Sequence, residues 1–240
     1  SWLGPAPSWL VTRWARRLGD HQARNLQRRL SEPAAIDLRL LHDQDPIQWA
    51  ERLGADIIPG APKRLTLQSG HPPKLPGFHE GAWVVQDRNA AQVVEQLPLG
   101  GRRVLDVCAA PGGKTTHLRQ QHPDAELHAI ELHSHRADLV RAALERCHQK
   151  GIVHCADARE LLPRLGSFDR IVLDAPCTGL GTLRRHPEIG IRRHENGPKQ
   201  AQILQKELLE VAVDALSPGG FLIYAVCSLE PEEGEQVIQS

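Results

Sequence analysis

Two thiols and one acid carry the chemistry that is easiest to read in this chain. Asp174-Ala175-Pro176-Cys177 places a carboxylate three positions from a thiol in a turn that runs to Gly181, and Cys227 follows the apolar run Phe221–Val226. A thiolate adjacent to an acid suits addition to a deactivated ring. Carbon-5 of a pyrimidine is a poor nucleophile until a thiolate adds at carbon-6 and makes the ring an enamine, while an acid near ring nitrogen 3 takes up the developing charge. The enamine can then attack a methyl donor. Loss of the carbon-5 proton and departure of the thiolate restore the ring. A thiol near its ordinary pKa of ~8.5 is mostly protonated, so the nucleophile needs a lowered pKa or a base. Cys147 and Cys155 are read differently, as inert buried cysteines.

A second constellation surrounds Val104–Thr116. The apolar residues Val104, Leu105 and Val107 break at Pro111-Gly112-Gly113, and Lys114, Thr115 and Leu118 begin an amphipathic segment. The pattern is strand, glycine turn, helix, the place where an α/β sheet binds a ligand with exposed helix N–H groups. As a phosphate loop the stretch fails, because Cys108 stands where the first glycine of Gly-x-x-x-x-Gly-Lys-Thr is required, so a nucleoside without phosphates fits better than ATP. Glu131 lies 18 residues after Gly113, near the ~20-residue offset of a ribose-binding acid; the alternative is an ordinary strand-end acid. Asp157 could accept from an adenine amino group or simply cap a helix beginning at Ala158.

The elements that position these residues alternate. Strands are expected at Val104–Cys108, Leu127–Glu131, Ile152–Ala156, Arg170–Leu173 and Phe221–Cys227. Helices are expected from Lys114, over Ser134–His148 and over Pro198–Leu216, which together make a mostly parallel, doubly wound sheet. Trp83–Asp87 and a helix at Asn89–Leu97 open this larger domain. Upstream, Ile36, Leu38 and Leu40 alternate with Asp37 and Arg39, Asp45-Pro46 starts a helix, and Ala55–Ile58 and Arg64–Leu67 read as strands. The proline-rich loop Gly70–Gly77 is the expected boundary, giving a small α+β module over 1–75 and the larger domain over 76–240.

Positions 11 to 30 hold six arginines and one acid on two short helices. They form either a solvated connector or an RNA-facing surface presenting Arg24 and Arg28. Arg184-Arg185-His186 makes a second basic cluster, suited to phosphates flanking a nucleotide. Globally the charge is balanced, with 29 Lys+Arg against 29 Asp+Glu, so any nucleic-acid signal is local. Five cysteines without a Cys-x-x-Cys pair argue against a disulfide framework and point to a reducing cytoplasm. No apolar run approaches the ~18 residues of a membrane span. His133-x-His135 lacks the partners of a zinc site, so no metal is expected. Methionine is absent even at position 1, which suggests a fragment of a longer protein.

Taken together, Asp106-x-Cys108-Ala109-Ala110-Pro111-Gly112-Gly113-Lys114-Thr115, Asp174-Ala-Pro-Cys177, Arg185-His186-Pro187 and Cys227-Ser228 with the acidic run Glu230-Pro231-Glu232-Glu233 resemble the Sun family of RNA cytosine-5 methyltransferases. The resemblance runs from about Trp9 to the last residue. It implies a Rossmann-like class I fold that holds S-adenosylmethionine in the loop Cys108–Lys114, with Glu131 on the ribose, Asp157 near the adenine and Asp174 lining the pocket. It further implies Cys227 as the attacking thiolate and Cys177 as the thiol that assists product release. The expected substrate is cytosine in RNA, small-subunit rRNA first and tRNA as the alternative, acted on by a monomer. Glu131 stands where the family more often has Asp, and Val226 where Thr is usual. Family members also carry a helical domain upstream and two further strands after the fifth. Two rivals are a DNA cytosine-5 methyltransferase, against which the second thiol argues, and a non-catalytic cofactor- and RNA-binding protein.

Overall fold

The computed structural model describes residues 6–41 and 43–239. Apolar residues at helical spacing form α1 (Ser8–Leu18), and Gly19 closes it and leads directly into α2 (Asp20–Leu30). Leu10, Trp14, Ala23 and Leu30 face inward while Arg24 and Arg28 stay in solvent, so the arginine-rich face is the outer one.

The alternating segment forms β1 (Ile36–Leu40), followed by α3 (Pro46–Leu53), β2 (Asp56–Ile57) and β3 (Arg64–Leu67). Asp45 caps α3 by accepting from the Ile47 and Gln48 amides, as the Asp-Pro pair predicts. One face of β1 packs Leu38 and Leu40 with Trp49, Leu65, Leu67 and Trp83. Its polar face is buried too, and every charge there is paired or hydrogen-bonded. Asp37 takes a bidentate bond from Arg88, and Arg39 donates to Gln86 at 2.6 Å and Thr116 at 2.9 Å. The next strand, β4 (Trp83–Val85), pairs antiparallel with β1 and completes a four-stranded sheet of order β2-β3-β1-β4. The sequence reading put Trp83–Asp87 at the start of the larger domain; its strand joins the small sheet. A three-residue apolar run before a helix says nothing about which sheet it joins.

After α4 (Arg88–Glu95) come β5 (Arg103–Val107), α5 (Gly113–Gln121), β6 (Glu126–Glu131), α6 (Ser134–Arg146), β7 (Ile152–Cys155), α7 (Ala158–Leu165) and β8 (Phe168–Asp174). The remainder is α8 (Glu188–Arg192), α9 (Gly197–Asp214), β9 (Leu216–Ala225) and α10 (Glu235–Ile238). The five strands β7-β6-β5-β8-β9 are all parallel and in that order, so β5 sits centrally where the winding direction reverses. This is the expected Rossmann-like fold. Several element ends shift from the sequence reading, and two differences bear on the site and its sheet. The last strand ends at Ala225, which leaves Cys227 beyond it. A helix, α7, occupies the stretch after β7 although it contains Pro163.

The chain groups into two compact units. One unit takes Ala35–Asp174 and Leu208–Ala225 and so contains both sheets; the other takes the chain up to Ala34, Ala175–Glu207 and the part from Val226 onward. In the first unit Arg39 of β1 reaches Thr116 on α5, and the Gln86 amide donates to the Gly113 carbonyl. These bonds tie the small sheet to the glycine loop. In the second unit Leu10, Trp14, Ala23 and Leu30 share one core with Leu180 and Leu183.

Candidate active site

The donor side is built in the sheet-containing unit. At the end of β5, Cys108 takes a left-handed backbone (φ 62°) that turns the chain so that the Ala109 amide reaches the Ile130 carbonyl at 3.0 Å. Gly112, at φ 100°, has no room for a side chain: a Cβ there would lie 2.9 Å from Ala143 Cβ and 3.2 Å from Val140 Cα on α6. The loop Cys108–Lys114 is therefore pressed against α6, and α5 begins at Gly113 with its first amides pointing out of the helix.

Acids converge on this loop. Glu131 is buried, accepting from the Ala110 amide and the His133 amide, each at 3.3 Å. Lys114 Nζ donates to Asp174 Oδ2 at 2.6 Å. Asp106 is fully buried; Oδ2 accepts from Thr115 Oγ1 at 2.6 Å, while Oδ1 has no partner among the described residues. Burial pushes the Asp106 carboxyl up to about 7, with Asp174 and Glu131 nearby adding to the rise. Burial and the same acids push the Cys108 thiol up to about 12, so Cys108 shapes the loop and is no nucleophile at neutral pH. An orphaned buried carboxylate oxygen among three acids suits a ligand with a cationic donor, and a sulfonium nucleoside bearing an ammonium group has that chemistry.

Asp157 is where the simpler reading holds locally. It caps α7 by accepting from the Arg159 amide at 2.9 Å, and its side-chain bond with the Arg159 guanidinium keeps its carboxyl below the usual range.

The two thiols lie in the other unit. Cys177 Sγ and Cys227 Sγ are 3.0 Å apart, so the two thiols chosen from sequence do meet. Cys227 is exposed and Cys177 half-buried. The hydrogen bond with Cys227, then burial, push the Cys177 thiol well above the ordinary thiol range. Cys177 keeps its proton at neutral pH, and two sulfurs this close do not both ionise. Their approach depends on Gly181, whose amide donates to the Cys227 carbonyl at 2.9 Å and whose Cβ, if present, would sit 3.0 Å from that oxygen. Cys147 is buried as expected. Cys155 is not: it is exposed at the end of the edge strand β7, so the reading of it as a buried cysteine is corrected.

Arg24, Arg28, Arg184, Arg185 and His186 are all exposed. Arg184 is committed to the chain, donating to the Glu32 and Pro33 carbonyls just after α2, and His186 Nδ1 lies 3.3 Å from Glu188. Along α1, a cleft of about 550 Å³ is lined by Trp9, Thr12, Arg13, Arg16, Arg17 and Glu195. Among the described residues no group of three or more His, Cys, Asp or Glu could hold a metal ion, and no helix is long and apolar enough to cross a membrane.

A family model described as 16S rRNA methyltransferase RsmB/F matches residues 96–240, from before β5 to the end of the chain. This chain belongs to that RsmB/F family. The ribosomal RNA small subunit methyltransferase B of Cronobacter sakazakii is 40% identical over 77% of this chain and 44% of its own length. That of Photorhabdus laumondii is 35% identical over 98% of this chain and 57% of its own. The crystal structure of PH0851 is 31% identical, with a TM-score of 0.90 over 98% of this chain and 56% of that one. The chain thus spans roughly half the length of the curated relatives it matches.

Three polar residues escaped the sequence reading. Thr178, Ser228 and Glu233 form a buried network beneath the thiols. A trace was present in the acidic run after Cys227-Ser228, yet spacing alone gives those acids no role, because a run of charges usually lies on a solvated surface.

Proposed function

We propose that this chain transfers a methyl group from S-adenosylmethionine to carbon-5 of a cytosine in small-subunit rRNA through a covalent cysteine adduct. The observation that carries this reading is the 3.0 Å approach of Cys177 and Cys227, with Cys177 holding a proton. The loop Cys108–Lys114, Glu131, Asp157 and Asp174 hold the cofactor, and Asp106 Oδ1 offers it a buried acceptor. Bound there, S-adenosylmethionine supplies an electrophilic methyl group.

Cys227, the exposed thiol, adds as thiolate to carbon-6 of the base, and Asp174 supplies the acid at ring nitrogen 3. Carbon-5 gains the methyl group. Solvent water reaching the exposed Cys227 takes the carbon-5 proton, the carbon-5 to carbon-6 double bond reforms, and the Cys227 sulfur departs as thiolate while the Cys177 S–H, still protonated, donates a hydrogen bond to it and so assists release. The target base must be unstacked or in a loop to be reached. Arg24, Arg28, Arg184, Arg185 and His186 bind the surrounding RNA, joined by Trp9, Arg16 and Arg17 at the α1 cleft, where an aromatic ring among arginines suits a stacked base and its phosphate.

A pair of substitutions tests the roles. Cys227→Ser abolishes methyl transfer, and Cys177→Ala accumulates a protein–RNA adduct that survives a denaturing gel. The opposite pattern, with no adduct in Cys177→Ala and a persistent one in Cys227→Ser, reverses the two roles and supports the DNA-type mechanism.

A further inference from the structure

Nothing in the reaction above uses Glu233, yet it is completely buried and lies at the centre of the network that carries both thiols. Its Oε1 accepts from the Thr178 amide at 2.7 Å and from the Gln205 side chain at 3.3 Å. Its Oε2 accepts from the hydroxyls of Thr178 and Ser228. Thr178 directly follows Cys177, and Ser228 directly follows Cys227. Gln205 donates in addition to the Pro176 carbonyl at 2.9 Å, so the residues on both sides of Cys177 are fixed by groups attached to Glu233. The carboxylate has a fixed origin of its own. It sits in the turn Glu230–Glu233, closed by a Glu233 N–H to Glu230 carbonyl bond at 3.0 Å, and Glu230 accepts from Trp14 Nε1 at 2.8 Å and pairs with Arg13.

We propose that Glu233 is a positioning residue that clamps the Cys177 and Cys227 loops to each other and so sets the distance between the two sulfurs. It touches no reacting atom. It acts through Thr178 and Ser228, and the proposal rests on the covalent reading of the thiol pair given above. The bonding pattern also says which substitution preserves the clamp. The Thr178 amide and the Gln205 amide can only donate to Oε1, so that atom must be an acceptor; the two hydroxyls at Oε2 can each turn and accept. Glutamine, with its carbonyl at the Oε1 position and its NH₂ at the Oε2 position, satisfies all four partners. Alanine satisfies none and leaves a buried amide and two hydroxyls unpaired.

The test measures sulfur proximity separately from methyl transfer. In the full chain, the azo oxidant diamide joins Cys177 and Cys227: the two thiols lose two protons and two electrons, and the azo group is reduced to a hydrazine. Mass spectrometry of the linked peptides follows the rate. Glu233→Ala slows this cross-link by about tenfold or more and lowers kcat for methyl transfer similarly, with KM for RNA within about twofold, while Glu233→Gln stays within about threefold of the wild type in both readouts. Ser228→Ala, which removes one hydroxyl and leaves Thr178 bonded, gives a smaller slowing of the cross-link and keeps the test open if the alanine variant does not fold. Cross-linking at the wild-type rate in Glu233→Ala or, should that variant not fold, in Ser228→Ala overturns the proposal, and so does a Glu233→Gln variant as slow as Glu233→Ala. If the wild type methylates no RNA but the cross-linking series behaves as stated, the functional reading fails and the clamp stands.

Discussion

Asp106 offers a test in which stability and ligand binding move in opposite directions. Its carboxyl rises from an ordinary value near 3.8 to about 7 because the side chain is fully buried, with one oxygen bonded only to Thr115 and the other without a partner among the described residues. A carboxyl whose pKa is raised on folding holds its proton more tightly in the folded chain. Its contribution to stability is therefore complete below about 4 and is lost as pH rises through about 7. Three pH units at ~1.36 kcal/mol each amount to about 4 kcal/mol. Asp106→Asn is neutral throughout. Urea unfolding should find the two proteins within about 1 kcal/mol at pH 4 and the variant more stable by up to about 4 kcal/mol at pH 8. Calorimetry with S-adenosylmethionine should run the other way: wild-type affinity strengthens as pH rises through 7 and Asp106 ionises, whereas the variant binds weakly and without that trend. A stability difference that stays constant from pH 5 to pH 8 would refute the reasoning, because an ionising buried acid cannot be silent over that range.

Two further outcomes follow from packing and charge. Gly112→Ala must adopt a left-handed backbone and push against Ala143 and Val140, at a combined cost of about 2–4 kcal/mol; a urea midpoint unchanged from the wild type would mean that α6 yields freely. Arg24→Ala with Arg28→Ala removes two exposed cations, which should lower RNA affinity and flatten the dependence of log K on log salt by about 1.4 for a single strand; an unchanged slope returns α2 to a solvated connector.

Much of the architecture was legible because it is written in local patterns. The apolar runs at Val104 and Leu127, each followed by a helix start, and the run Arg170–Leu173 specify parallel strands with acids and thiols at their ends. Other features depend on partners distant in sequence. Arg39 looks like the solvent face of an alternating strand, yet it is buried against Gln86 and Thr116, because another helix covers that face. Trp83–Val85 has the composition of a strand but not the address of its sheet. Pro163 reads as a breaker, and α7 accommodates it. At the site, sequence identified the two cysteines by type and strand position. The carboxylate beneath them was illegible, since Glu233 acts through a neighbour of each thiol and those neighbours are 50 residues apart in the chain.

The second unit is assembled from three separated stretches of chain, and this has a consequence for how the protein is made. During synthesis the inner faces of α1 and α2 emerge before their partners, with Leu10 and Trp14 uncovered. Their core partners Leu180 and Leu183 follow about 150 residues after the end of α2. At ~5–20 residues per second that interval is roughly 8–30 s. Glu230, which receives the Trp14 indole N–H, arrives later still. For that period α1 and α2 must be shielded from unintended association, and the thiol-bearing segments acquire their setting only once Glu233 has been made.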